Sequence, residues 1–202
     1  MEKLNSRKTY SKFTYDDIQQ LGIIVEEEYL FRDDVPSVEP SDFLQLVLKK
    51  NMDKKLKTEK AKSELLITPI LNELIEQNVE RVAYYSGYKF EVDKKLGLNG
   101  FCDYILTFNP KSPIIDAPVF CVVEAKNDNL DTGVPQCIAE MYAAQLFNRK
   151  KGKNIENIYG TVTFGFEWRF LKLTENNVIL DKNIYYLVKL PELLGVLNEI
   201  LK

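Results

Sequence analysis

The chain reads as an α/β protein, a mixed central sheet flanked by helices, and three observations predict this. A helical stretch over residues 41–79 gives way after residue 82 to runs that alternate or cluster apolar residues as strands do. One of those runs, VFCVVEAK, is continuously apolar and ends in two charges, as a buried central strand does. A helix rich in Ala, Met, Leu and Gln, QCIAEMYAAQLFNRKK, then separates it from another strand-like run. The order is helix, strand, strand, strand, helix, strand, with an N-terminal helix/strand extension and a β-rich C-terminal end.

In chain order, residues 14–30 predict a short helix over Tyr15–Gln20, a turn at Gly22 and the strand IIVEEEYLF. Pro36 and Pro40 mark residues 31–41 as a loop. Ser41 is placed to cap a helix whose apolar side is Phe43, Leu44, Leu46, Val47 and Leu48. After the lysine-rich KKNMDKKLKTEKAK, Leu65, Leu66, Ile70, Leu71, Leu74 and Ile75 recur at helical spacing. Pro69 inside this run either kinks the helix or opens its second half. YKFEVDKKL then alternates as a strand, Gly97 and Asn99-Gly100 supply a turn, and FCDYILTF follows as the next strand. Pro110, Pro113 and Pro118 carry a loop into VFCVVEAK, and Gly133-Val134-Pro135 opens the next helix. IYGTVTFGF, WRFLKLT and NIYYLVKL are three further strand-like runs, and PELLGVLNEIL closes the chain as a helix.

Composition narrows the chemistry. The 202 residues include no histidine, so a Ser-His-Asp or Cys-His nucleophile and His-containing zinc sites are excluded. Any general acid or base must be a carboxylate, Lys, Tyr or Cys. A formal net charge of −3 gives no global support for nucleic-acid binding, which depends instead on where charge sits. Three cysteines without a CxxC pair fit free thiols in a reducing compartment. The first residues hold no apolar signal region and no stretch approaches 18 apolar residues, so a cytoplasmic protein with no membrane partner is expected. Length suggests a single domain over 1–202, read as an extension (1–57), a core (58–164) and C-terminal strands with a helix (165–202).

The chemistry concentrates at the end of the most apolar strand. Glu124 and Lys126 point the same way there, because strand side chains alternate faces. An acid two residues before a lysine occurs three times, but Asp53–Lys55 and Asp93–Lys95 lie in solvated, lysine-rich surroundings. Taken alone, Glu124 and Lys126 read as a buried or rim ion pair. Asp103 changes the balance, since it interrupts another apolar strand, and Asp is depleted in strands. Either it caps the turn at Asn99-Gly100, or it shares a hard divalent cation with Glu124. Lys126 would then face the nucleophile or a phosphate. Glu64, at the start of an apolar helix run, is either a first-turn acid favoured by the helix dipole or part of the site. Gln136 opens the helix after Lys126, with Glu140 one turn on.

Together, the helix glutamate, Gly100-Phe101-Cys102-Asp103, Glu124-Ala125-Lys126 and the helix opening with Gln136 resemble the PD-(D/E)XK phosphodiesterase superfamily, the restriction-endonuclease-like fold. Its α-β-β-β-α-β core matches the order from about residue 58 to residue 164, roughly half the chain. The motif's proline is replaced by Cys102, and Glu140 stands where recombination-type members carry a tyrosine. The resemblance implies a Mg²⁺-dependent (or Mn²⁺-dependent) nuclease. Asp103, Glu124 and the Ala125 carbonyl would bind the metal, Glu64 would aid it, Lys126 would assist water attack, and Gln136 would support the site. It also implies nucleic acid as partner, DNA ahead of RNA, and pairing as a homodimer. The alternative is a catalytically silent binding or regulatory module on the same fold.

Two basic clusters bear on nucleic acid. Lys49–Lys62 holds seven lysines, and Arg149–Lys153 has four basic residues in five; either could neutralise phosphates or simply be solvated. The acidic Asp16-Asp17, Glu26–Glu28 and Asp33-Asp34 are expected to face away from a duplex or to meet a second subunit.

Overall fold

The computed structural model describes residues 8–32 and 34–202, so Asp33 of the acidic pair lies outside the described residues. The elements are α1 (Tyr15–Gln20), β1 (Ile24–Glu28), α2 (Asp42–Met52), α3 (Glu59–Lys62), α4 (Thr68–Glu76), β2 (Ala83–Asp93), β3 (Leu98–Thr107), β4 (Val119–Ala125), α5 (Val134–Lys150), β5 (Asn157–Thr163), β6 (Glu167–Thr174), β7 (Asn177–Asp181), β8 (Tyr185–Tyr186) and α6 (Leu190–Glu199). The strands form one mixed sheet in the order β1-β7-β6-β5-β4-β3-β2, with β8 also pairing with β6. β1·β7 and β4·β5 are parallel and the other pairs antiparallel. The chain is therefore α/β, as its sequence predicts.

Two cores lie against the sheet. One gathers Tyr10, Ile18, Ile23, Cys137, Ile138 and Met141 around α5. The other gathers Leu44, Leu66, Ile70, Leu71, Trp168 and Leu197 from α2, the turn ahead of α4, α4 itself, β6 and α6. β4 supplies both and is buried along its whole length, as its unbroken apolar run requires. The N-terminal residues are not a detached extension. Tyr10 and Phe13 enter the α5 core, and β1 pairs with β7 from the far end of the chain.

Side chains cap the starts of α1 and α2, the second as expected. Thr14 caps α1 in a capping box with Asp17, and the Ser41 hydroxyl accepts from the Leu44 N–H to cap α2. The predicted apolar side of α2 is only half used, because Leu44 and Leu48 are buried while Phe43 is 70% exposed.

The helix from Glu59 to Glu76 resolves the Pro69 question. Residues Ser63–Ile67 form a π-turn, and Pro69 sits in the first turn of α4. Proline brings no N–H and crowds the carbonyl four residues back, here that of Leu65. That freed carbonyl accepts instead from the buried Asn51 side chain at 2.8 Å. The widened turn and the borrowed donor let the helix pass the proline without breaking.

Two predicted boundaries are corrected. Asn99-Gly100 lies inside β3, and residues between Asp93 and Leu98 make the turn instead. The turn is held there by the Asp93 carboxylate, which accepts from the N–H groups of Lys95 and Leu96. In the C-terminal part, β7 is Asn177–Asp181, whereas NIYYLVKL contributes only the short β8. β8 pairs with Glu167 and Trp168, ahead of the stretch of β6 that β7 occupies.

A break in β3 matters most for the site. The β2·β3 ladder runs Ser86↔Tyr104 and then Tyr88↔Cys102, skipping Gly87 and Asp103. On one side of the skip, Tyr85 and Ile105 face the α5 core; on the other, Phe90 and Cys102 do. Strict alternation would need even separations, so both strands swap faces here. Gly87 makes the swap with φ +60°, a left-handed conformation suited to glycine.

Candidate active site

Asp103 sits at that swap, and its partner is on β4. The regular β3·β4 ladder reaches Tyr104↔Val123. Beyond it, the Asp103 carboxylate accepts from the Ala125 N–H at 2.8 Å. Asp103 therefore does not cap the Asn99-Gly100 stretch. It ties the middle of β3 to the end of β4 and brings its charge beside Glu124.

Glu124 is 2% exposed. The Lys126 ammonium donates to its Oε1, while Oε2 is buried with no hydrogen-bond partner among the described residues. Burial, reinforced by the nearby Asp103 charge, outweighs Lys126 and pushes the Glu124 carboxyl up to about 8. Burial also raises Asp103, against the opposing pull of the Ala125 N–H and Lys126. For Lys126, burial would depress the ammonium, but Glu124, Glu59 and Asp103 together hold it above its ordinary value. The bond from its own backbone N–H to the Thr163 carbonyl, at 2.8 Å, extends the parallel β4·β5 pairing and sets where it stands.

Helix α5 completes the cluster. Lys126 Nζ also donates to Gln136 Oε1 at 3.1 Å, and Gln136 Nε2 donates to Glu140 Oε1 at 3.0 Å. The result is one hydrogen-bonded row: Glu124, Lys126, Gln136, Glu140. It lies at the C-terminal end of β4 and the N-terminal end of α5, within a β4-α5-β5 parallel unit. Open α/β sheets bind their ligands at such strand ends.

Glu64 does not join this row. Its side chain is 61% exposed and pairs with Lys60 at 3.2 Å on the same helix. An acid of that helix whose charge does reach Glu124 and Lys126 is Glu59, in the first turn of α3 after the Thr58 cap. Five residues apart at 3.6 residues per turn, the two acids fall on different faces of the helix.

Sequence reading also missed Lys62 and Gly133. Lys62 belongs to the run read as either phosphate-neutralising or solvated, both of which need exposure, yet it is 7% exposed. Its ammonium donates to the Asn127 carbonyl, meets Asp128 Oδ1 at 3.2 Å and lies 5.4 Å from the Phe164 ring centre. It thereby straps down the loop that follows Lys126. Nothing in the run distinguishes Lys62 from its solvated neighbours. Gly133 lets the start of α5 approach β4 and β5. A Cβ there would come within 2.6 Å of Val162 Cγ1 and 3.0 Å of Lys126 Cγ and Cε. Gly133→Ala should therefore cost about 1–3 kcal/mol by overpacking and displace the Lys126 stem. Thermal melts check this, and an unaltered melt would show that the contact yields freely.

The basic clusters differ in position. Lys62, the last lysine of the Lys49–Lys62 run, adjoins the loop after β4. Arg149–Lys153 stands at the opposite end of α5, about 20 Å from Gln136 at 1.5 Å per residue.

The donor set suits a small hard cation. Two carboxylates and the Ala125 carbonyl are all oxygen donors, and Mg²⁺ commonly takes one or two carboxylates and keeps several waters. The buried, unpartnered Glu124 oxygen beside a second acid is what such an ion would satisfy. Among the described residues, no group of three or more His, Cys, Asp or Glu side chains is arranged to hold a metal, so waters would complete the shell. No helix among the described residues is long and apolar enough to cross a membrane. No family model matches the chain, and a search of curated proteins finds no relative.

Proposed function

We propose that the protein is a metal-dependent phosphodiester hydrolase acting on nucleic acid, DNA ahead of RNA. The observation that carries this is the buried Glu124 carboxylate, one oxygen unpartnered, beside Asp103 and hydrogen-bonded to Lys126. Without a cation, two acids packed this way repel each other and one is driven neutral.

Asp103, Glu124 and the Ala125 carbonyl would hold Mg²⁺ or Mn²⁺, which supplies Lewis acidity and lowers the pKa of bound water. Asp103 keeps its place through the Ala125 N–H, so its carboxylate does not have to reorganise. Lys126 offers an ammonium to the developing charge of the attacked phosphate, and Gln136 keeps that ammonium at the mouth of the site. Glu59 adds negative charge near the opening and is the better candidate than Glu64 for any second cation. Exposed lysines of the Lys49–Lys62 run would neutralise flanking phosphates. The α-β-β-β-α-β order of α4, β2, β3, β4, α5 and β5 supports the PD-(D/E)XK reading of the motif.

The test is incubation of supercoiled plasmid, linear duplex, single-stranded DNA and RNA with Mg²⁺ or Mn²⁺, alongside Asp103→Ala. Metal-dependent cleavage of DNA that disappears in the variant is the expected outcome. DNA binding without cleavage under either metal would favour the silent binding module instead.

A further inference from the structure

Glu140 is a costly residue for its place. It is fully buried on α5 among Ala139, Met141, Ala143 and Ala144, all equally buried and apolar. Its Oε2 has no N–H or O–H partner among the described residues, and the group set against the carboxyl is the weakly donating Cys102 thiol. An apolar residue would pack here without that penalty. Its one bond to the site is the one it accepts from Gln136.

The chemistry of the donors fixes what that bond does. An ammonium can only donate, so Gln136 must turn its carbonyl oxygen toward Lys126 to hold it. The two ends of an amide are nearly the same size, so packing alone barely selects between orientations. If the amide turned over, its NH₂ would face the ammonium, donor against donor. The turned-in NH₂ needs a buried acceptor in order to stay, and Glu140 Oε1 is that acceptor at 3.0 Å. Burial and the Glu124 charge hold the Glu140 carboxyl well above its ordinary value, and even a neutral carboxyl can accept through its carbonyl oxygen.

We propose that Glu140 is a positioning residue, acting through the Gln136 amide to fix where the Lys126 ammonium stands. Its catalytic consequence rests on the hydrolase reading; the positioning itself does not.

The experiment therefore reads Lys126 directly. In ¹⁵N-lysine-labelled protein without metal, the Lys126 NH₃⁺ signal should be visible and protected from solvent exchange. Glu140→Leu, which removes the acceptor at similar volume, should shift that signal and speed its exchange about tenfold or more. Glu140→Gln, which keeps an acceptor oxygen, should restore it. An unmoved Lys126 signal in Glu140→Leu, or the same disturbance in both variants, overturns the proposal. Should Glu140→Leu not fold, the Gln136 side-chain amide of the unaltered protein decides instead. Slow exchange of its protons supports the lock, and rapid exchange overturns it. On supercoiled plasmid with Mg²⁺, Glu140→Leu should lower kcat about 10–100-fold with KM nearly unchanged, and Glu140→Gln should recover most of it. If the Lys126 signal behaves as stated while no plasmid is cut by any form, the hydrolase reading fails and the positioning role stands.

Discussion

Lys126→Met is expected to slow metal-dependent DNA cleavage by about 10²–10³-fold while leaving a folded protein, the usual cost of losing one preorganised donor to a developing charge. Methionine keeps much of the lysine stem that packs at Gly133, so the loss isolates the ammonium. The variant should still bind Mg²⁺, because the oxygen donors of Asp103, Glu124 and Ala125 remain. The structural alternative, a simple buried ion pair, predicts something different. Removing one partner of such a pair destabilises by about 3–5 kcal/mol when the other charge is stranded. Here Glu124 is already pushed up to about 8 and can take a proton, so the stability loss should fall well below that range. Cleavage rates with calorimetric Mg²⁺ titration and thermal melts separate the two. A variant that unfolds readily, or one that cuts as fast as the parent, rules out the catalytic role.

The second large effect is on stability against pH. Glu124 titrates near 8 in the folded chain against an ordinary value of 4.5. A raised folded value means the native state binds the proton more tightly than the unfolded one. Its contribution is full below about 4.5, falls as pH rises, and is lost above about 8. Asp103 and Glu140 are raised as well and act with the same sign. The metal-free protein should therefore melt progressively lower between pH 5 and pH 8.5, by a few kcal/mol, since each tenfold difference in proton affinity is worth about 1.4 kcal/mol. Added Mg²⁺ should recover much of this at high pH, since it binds the ionised acids of the native state. Glu124→Gln should flatten the profile and abolish the Mg²⁺ effect. A parent protein whose melting is flat across this window, or a Glu124→Gln profile as steep as the parent's, would contradict the burial argument.

The linear order carried a good deal of this. VFCVVEAK announced a buried strand with charges at its end, and alternation put Glu124 and Lys126 on one face. Asp103 stood out because an acid inside an apolar strand needs a reason. Gln136 and Glu140 were legible as a pair four residues apart on a helix. The swap of faces at Gly87 and Asp103 was not legible, because periodicity presumes an unbroken pleat. Nor was the outward place of Glu64, paired with Lys60, because which face of a helix meets the sheet is set by packing across the chain. Lys62 looked like its solvated neighbours because burial is decided by what lies across from a residue.

The sequence by itself therefore determined the α/β class, the central strand and the inventory of groups, because hydrophobic period and residue chemistry are local properties. Tertiary structure alone decided that Glu64 pairs outward with Lys60 rather than joining the site, that Asp103 binds the Ala125 N–H, and that Glu140 lies behind Gln136. Each depends on a contact between residues distant in sequence, or on a break in a regular period, and local pattern encodes neither.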